Sequence, residues 1–210
     1  MAEHAAPSKQ AKNTRIIPLI LFAAALFVLV VVPLVYGREY PKSVASVFDD
    51  VVTLGRFSCL VGFLSDLGIV LWFTMSALLM HALHRRLVNE GTTASAEKAF
   101  YFVFALITLW LGLDDRLLIH EWLTEKGGIP EGLIMAVYAA AVVIAGWIFR
   151  RYLSGPGIGW LWIAFPCFIV SVGMDLFMSN EVIEESFKWV GICALFLYIF
   201  VLTGARCKHE

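Results

Sequence analysis

The feature that most constrains this chain is a set of apolar runs, each long enough to cross a bilayer. A hydrocarbon core about 30 Å thick takes about 20 helical residues. Six runs qualify, at 16–36, 57–83, 99–121, 132–149, 158–178 and 186–204. In lipid each backbone N–H and C=O must find its partner inside the segment, so each run reads as a helix. Composition agrees: 60% of residues are apolar and 16% charged, against about 25% charged in soluble domains, and mean hydropathy is +0.80. The expected fold is an all-α integral membrane protein of six transmembrane helices. Its membrane domain covers 16–204, between short tails at 1–15 and 205–210. The first run is too long for a signal peptide, and Val35-Tyr36-Gly37-Arg38 offers no small-x-small cleavage site.

Lys and Arg in short loops set orientation. With six spans, Lys9, Lys12, Arg15, Arg85, Arg86, Lys98, Arg150, Arg151, Arg206 and Lys208 share one side. Arg38, Lys42, Arg56, Arg116, Lys126 and Lys188 fall on the other. Ten against six places both termini in the cytoplasm of a bacterium, with the chain in its inner membrane. A net charge of -1 gives no basic surface for nucleic acid. The expected partners are the lipid bilayer and a second copy or a membrane complex. Cys59, Cys167, Cys193 and Cys207 form no CxxC pair and read as small apolar fillers.

The opposite, extracytoplasmic side collects acids. LGLDDRLLIHEWL (111–123) holds Asp114, Asp115, Arg116, His120 and Glu121. Residues 99–113 supply only about 22 Å of helix, so the third span is expected to continue through this stretch. At 100° per residue Asp114 and Glu121 then share a face but lie about 10.5 Å apart along the axis, too far for one ion. Arg116 and His120 share another face. Asp175 ends the fifth span. Glu181, Glu184, Glu185 and Lys188 open the sixth on one face, with Ser179 or Asn180 as cap and Glu184–Lys188 as an i,i+4 pair. Lys188 could instead neutralise an acid of the third span. Asp66 would lie about 14 Å inside the second span if that span starts at Phe57, near mid-bilayer, where an acid is costly and a functional candidate. Tyr138 reads as an interfacial aromatic, and His81 and His84 as part of a basic flank.

The pattern LDDRLLIHE (113–121), Tyr138, Asp175, EESFKWVGI (184–192) resembles that of a group of uncharacterised bacterial polytopic membrane proteins. The resemblance covers roughly residues 100–205 and implies a multi-pass helical fold with no assigned activity. A weaker likeness, through Ser76 and His81, is to alkaline-ceramidase and progestin-receptor-like membrane hydrolases. Their three-His zinc site has no counterpart here, because His4 and His209 lie in the tails.

Three functions follow as expectations. The first is cation binding or ion and proton transport. Asp114, Asp115, His120, Glu121, Asp175, Glu184 and Glu185 would be candidate ligands of a divalent metal, Asp66 an inward relay, and Arg116 and Lys188 charge partners. The second is a metal-dependent hydrolase acting on a lipid or interfacial substrate. The third is a structural membrane subunit whose acids are ion-paired.

Overall fold

The computed structural model describes residues 18–31, 63–88, 94–177 and 181–206, which are helical almost throughout and contain no strand. In chain order the helices are α1 (Pro18–Val31), α2 (Phe63–Val88), α3 (Ser95–Leu117), α4 (Ile119–Gly127), α5 (Glu131–Ile148), the single turn α6 (Arg150–Leu153), α7 (Ile158–Phe177) and α8 (Glu181–Arg206). Five of them, α2, α3, α5, α7 and α8, are long and apolar enough to cross a membrane. The chain is thus helical and multi-pass. The expected first span is described only as the shorter α1. The tail at 1–15, residues 57–62 with Cys59, the cap at Ser179 or Asn180, and the last four positions with Cys207 lie outside the described residues.

Close approaches fix how the helices run. Asp66 meets Arg116, Trp72 meets Gly112, Ser76 Oγ donates to the Ala105 carbonyl at 2.9 Å, and Arg86 meets Glu97. Positions rising on α2 fall on α3, so the two are antiparallel. Gly68 touches Ile192, and Leu64 clusters with Trp189, so α8 runs alongside α2 in the same direction. Gly157, just before α7, faces Val201, and Gly191 of α8 faces Phe168, which makes α7 antiparallel to α8. One end of the bundle therefore gathers the starts of α2 and α8 with the ends of α3 and α7. Those are the four segments that carry Asp66, Glu184/Glu185/Lys188, Asp114/Asp115/Arg116 and Asp175.

The core lies between α2, α3 and α8. Trp72, Met75, Leu79, Phe100, Tyr101, Tyr198 and Leu202 are buried in it, with Phe168 of α7 packed against them. Outward-facing aromatics are left bare: Trp147 is 70% exposed, Trp162 73% and Phe177 85%. In water such surface would be unfavourable, whereas lipid solvates it. Small residues let the helices close up. A Cβ on Gly112 would lie 2.8 Å from Trp72 Cβ. Gly112→Ala is therefore expected to destabilise the protein by about 1–3 kcal/mol despite alanine's better helix propensity. Thermal unfolding in detergent checks this, and a gain in stability would contradict the packing.

At the far end of α2, Arg86, counted among the loop cations, is only 4% exposed. Its Nε donates to Glu97 Oε1 at 2.8 Å and its guanidinium lies 4.6 Å from the centroid of the Tyr101 ring. A buried guanidinium persists because carboxylate, ring and the Ala82 carbonyl together replace its water. His81 and His84 are exposed at that end.

Candidate functional site

The helix expected to run from 99 through 121 breaks at Leu118. This residue sits in the left-handed region (φ 50°, ψ 44°) and is the sole non-glycine residue with positive φ among those described. Left-handed backbone costs an L-residue about 1–2 kcal/mol, so the surroundings must hold it there. Asp114 does so twice. Its carbonyl accepts the Leu118 N–H and closes α3. Its carboxylate Oδ1 accepts the His120 N–H at 3.0 Å. Leu118, the cap residue of α4, makes no side-chain cap bond. The carboxylate thus caps α4 from the preceding helix, where the dipole favours a negative charge.

The break also corrects the layering. His120 was placed one level out from Asp114, on the face of Arg116. Instead its ring turns back, with Nδ1 2.8 Å from Asp114 Oδ2. Carboxylate oxygen accepts, so Nδ1 carries the hydrogen and neutral Nε2 is left as the basic nitrogen. Tyr138, on α5, donates its hydroxyl to Asp114 Oδ1 at 2.9 Å, and its ring meets Trp110 edge to face, with centroids 6.5 Å apart. Gly128 (φ 65°) ends α4 and lets the chain turn back into α5. Asp114, at 6% exposed, thereby ties α3, α4 and α5 with three donors. Tyr138 is the residue of this group that sequence reading passed over as an interfacial aromatic.

Asp115 and Arg116 face elsewhere. Lys188 Nζ of α8 lies 2.6 Å from Asp115 Oδ1 and 3.3 Å from Glu185 Oε1. The expected neutralisation of an α3 acid by Lys188 is what the structure contains. The helical partner of Lys188 is Glu185 at i,i+3 rather than Glu184 at i,i+4. Arg116 Nη1 reaches Asp66 Oδ1 at 3.3 Å in a pair whose side chains are 43% and 55% exposed. Asp66 therefore belongs to the same layer as the other acids and not to a deeper station. Three consecutive residues, turned about 100° apiece, bind three different neighbours: α4 and α5, then α8, then α2.

The candidate ligands are spread over separate partners. Asp114, Asp115 and Asp66 each engage separate donors or cations. Glu121 and Asp175 are exposed, the first within electrostatic reach of His120 and the second of Glu184. No group of three or more His, Cys, Asp or Glu converges on a metal-sized space among the described residues. The expected set of Asp114, Asp115, His120, Glu121, Asp175, Glu184 and Glu185 shares an end of the bundle but not a centre.

His120 has its pKa raised above 6.5, first by the hydrogen bond to Asp114, with the charges of Asp114 and Glu121 adding to it. Burial and Lys188 act in the opposite sense. A base whose pKa rises on folding stabilises the fold fully below its unfolded value. That contribution fades as pH climbs through the raised one. Stability in detergent is accordingly expected to fall as pH is taken upward from about 6.5, and His120→Gln should flatten that slope. An unchanged slope in the variant would place the titration elsewhere.

No curated protein and no solved structure matches this chain. One family, described as Domain of unknown function (DUF8692), matches residues 16–202, and the chain belongs to it.

Proposed function

We propose that this is a proton-handling transport protein of the bacterial inner membrane, with six spans and both termini cytoplasmic, and that Asp114 and His120 form its extracytoplasmic port. One observation carries the reading: a buried carboxylate shared between a histidine outside the spanning helices and a tyrosine on one of them. Protonation at His120 Nε2 lets Nδ1 release its hydrogen to Asp114 Oδ2, the carboxylate whose other oxygen accepts the Tyr138 hydroxyl. The Asp115–Lys188–Glu185 cluster beside it supplies fixed charge. Proteoliposomes carrying a trapped pH-sensitive dye test this. His120→Ala and Asp114→Asn should slow dissipation of a pH gradient by about tenfold or more, whereas Asp66→Asn, in an exposed pair, should leave it within about twofold. Equal flux in wild type and His120→Ala would defeat the proposal.

The fan of partners around Asp114, Asp115 and Arg116 favours a second reading, a structural membrane subunit whose acids fasten helices together. It predicts stability losses in these variants with no proton flux in the wild type.

A further inference from the structure

α4 is fastened unlike the spanning helices. None of its nine residues is fully buried, so packing alone does not hold it down. It hangs between two left-handed joints, Leu118 (φ 50°) before it and Gly128 (φ 65°) after it. Glycine adopts that backbone without penalty, and leucine does not. The strain at Leu118 must be offset by whatever holds α4 in place, and the groups that do so come from Asp114. Its carbonyl takes the Leu118 N–H, its Oδ1 the His120 N–H at 3.0 Å, and its Oδ2 the His120 ring at 2.8 Å. Of these bonds, the one to the ring is the one a proton strengthens. With imidazolium as donor both partners are charged, and such a bond is about twice as strong as a neutral one. That gain is of the same order as the cost of a left-handed leucine. The charge on one ring therefore tips the balance at the joint. Asp114 of α3, by hydrogen bond and by charge, and Glu121 of α4 favour the imidazolium, whereas burial and Lys188 of α8 oppose it. From α5, the Tyr138 hydroxyl shares Asp114 Oδ1 with the His120 N–H. The ring lies against a carboxylate that is 6% exposed, so lifting α4 would bare Asp114 to water.

We propose that α4 is a pH-sensitive latch over Asp114, held down while His120 is protonated and free to swing about Leu118 and Gly128 once that proton leaves. The latch rests on local geometry and stands whether or not protons cross the membrane. Hydrogen exchange tests it, on the full-length protein in nanodiscs, read by mass spectrometry and corrected for the intrinsic pH dependence of amide exchange. Protection over 118–122 is expected to fall by about fivefold or more between about pH 6 and about pH 8.5. The core of α8 around Ala194 and Leu197 should keep its protection, which marks the opening as local. His120→Gln, whose side chain takes up no proton, should show no such fall. Leu118→Gly removes the strain and should raise protection over 118–122 at the higher pH by about fivefold or more. If His120→Gln fails to fold, the wild-type profile and Leu118→Gly decide together. Protection that is constant with pH, that falls in step with the α8 core, or that falls as steeply in His120→Gln would overturn the latch. So would lower protection in Leu118→Gly. Absence of proton flux in proteoliposomes would leave the latch standing, and a rigid α4 would leave the flux result standing.

Discussion

Asp114→Ala should lower the unfolding free energy by about 3–5 kcal/mol, the range for removing one partner of a buried charged pair. Three donors converge on this carboxylate: the His120 N–H, the His120 ring Nδ1–H and the Tyr138 hydroxyl. Alanine leaves all three without an acceptor in a site only 6% exposed, and a buried unsatisfied donor costs about 1–3 kcal/mol. It also removes the carboxylate that caps α4 just past the left-handed Leu118, so the junction of α3 and α4 loosens as a unit. Asp114→Asn is expected to cost less. Its carbonyl oxygen can still accept, but its amide meets the His120 N–H of Nδ1 as donor against donor. Unfolding in detergent, followed by helical signal, ranks the two. An alanine variant within about 0.5 kcal/mol of wild type, the usual scatter for surface substitutions, would show that the junction is held by something else.

Lys188→Met should be the next most damaging change, at about 2–4 kcal/mol, a range lowered from that of fully buried pairs because the lysine is 31% exposed. Methionine keeps most of the aliphatic length but removes the cation 2.6 Å from Asp115, whose side chain is 12% exposed. The informative variant is the double one. Lys188→Met with Asp115→Leu removes both charges, and most of the loss should return, since replacing a whole buried pair by apolar groups is often neutral. A coupling of at least about 1 kcal/mol in the cycle is expected. Strict additivity would mean that the two residues act separately despite their contact.

The helical membrane class could be read from the sequence because it depends on run length alone, and α2, α3, α5, α7 and α8 correspond to five of the six apolar runs. The gathering of acids at one end was readable too, since it follows from span parity. What was not readable is the partnering. Leu118 carries no glycine, asparagine or proline to announce a break, and the polar run after Leu113 fits a continuing helix. The left-handed residue is held by Asp114 and by the return of α5, contacts that no local pattern contains. Once the break is placed, His120 swings onto Asp114 and the arithmetic of a continuous helix fails for every residue beyond 117. Asp66 was misjudged for a similar reason. Its depth was counted from an assumed helix start, while its true level is set by Arg116 on another helix. Arg86 was read from its charge, although Glu97, across a short connection, was there to pair with it.

α5 is joined to the rest unlike its neighbours. Of its 18 residues only Ile134 and Ala145 are fully buried, so most of its surface is not covered by the other described helices. At 1.5 Å per residue it is about 27 Å long, slightly short of a typical hydrocarbon core of about 30 Å. A helix shorter than the core cannot match a thicker bilayer by tilting, so the bilayer must thin around it or the helix must shift. Tyr138 rides on that helix with its hydroxyl on Asp114. Thicker or thinner membranes thus pull directly on the hydrogen bond at the centre of the ionic layer, which makes bilayer thickness itself a variable of this site.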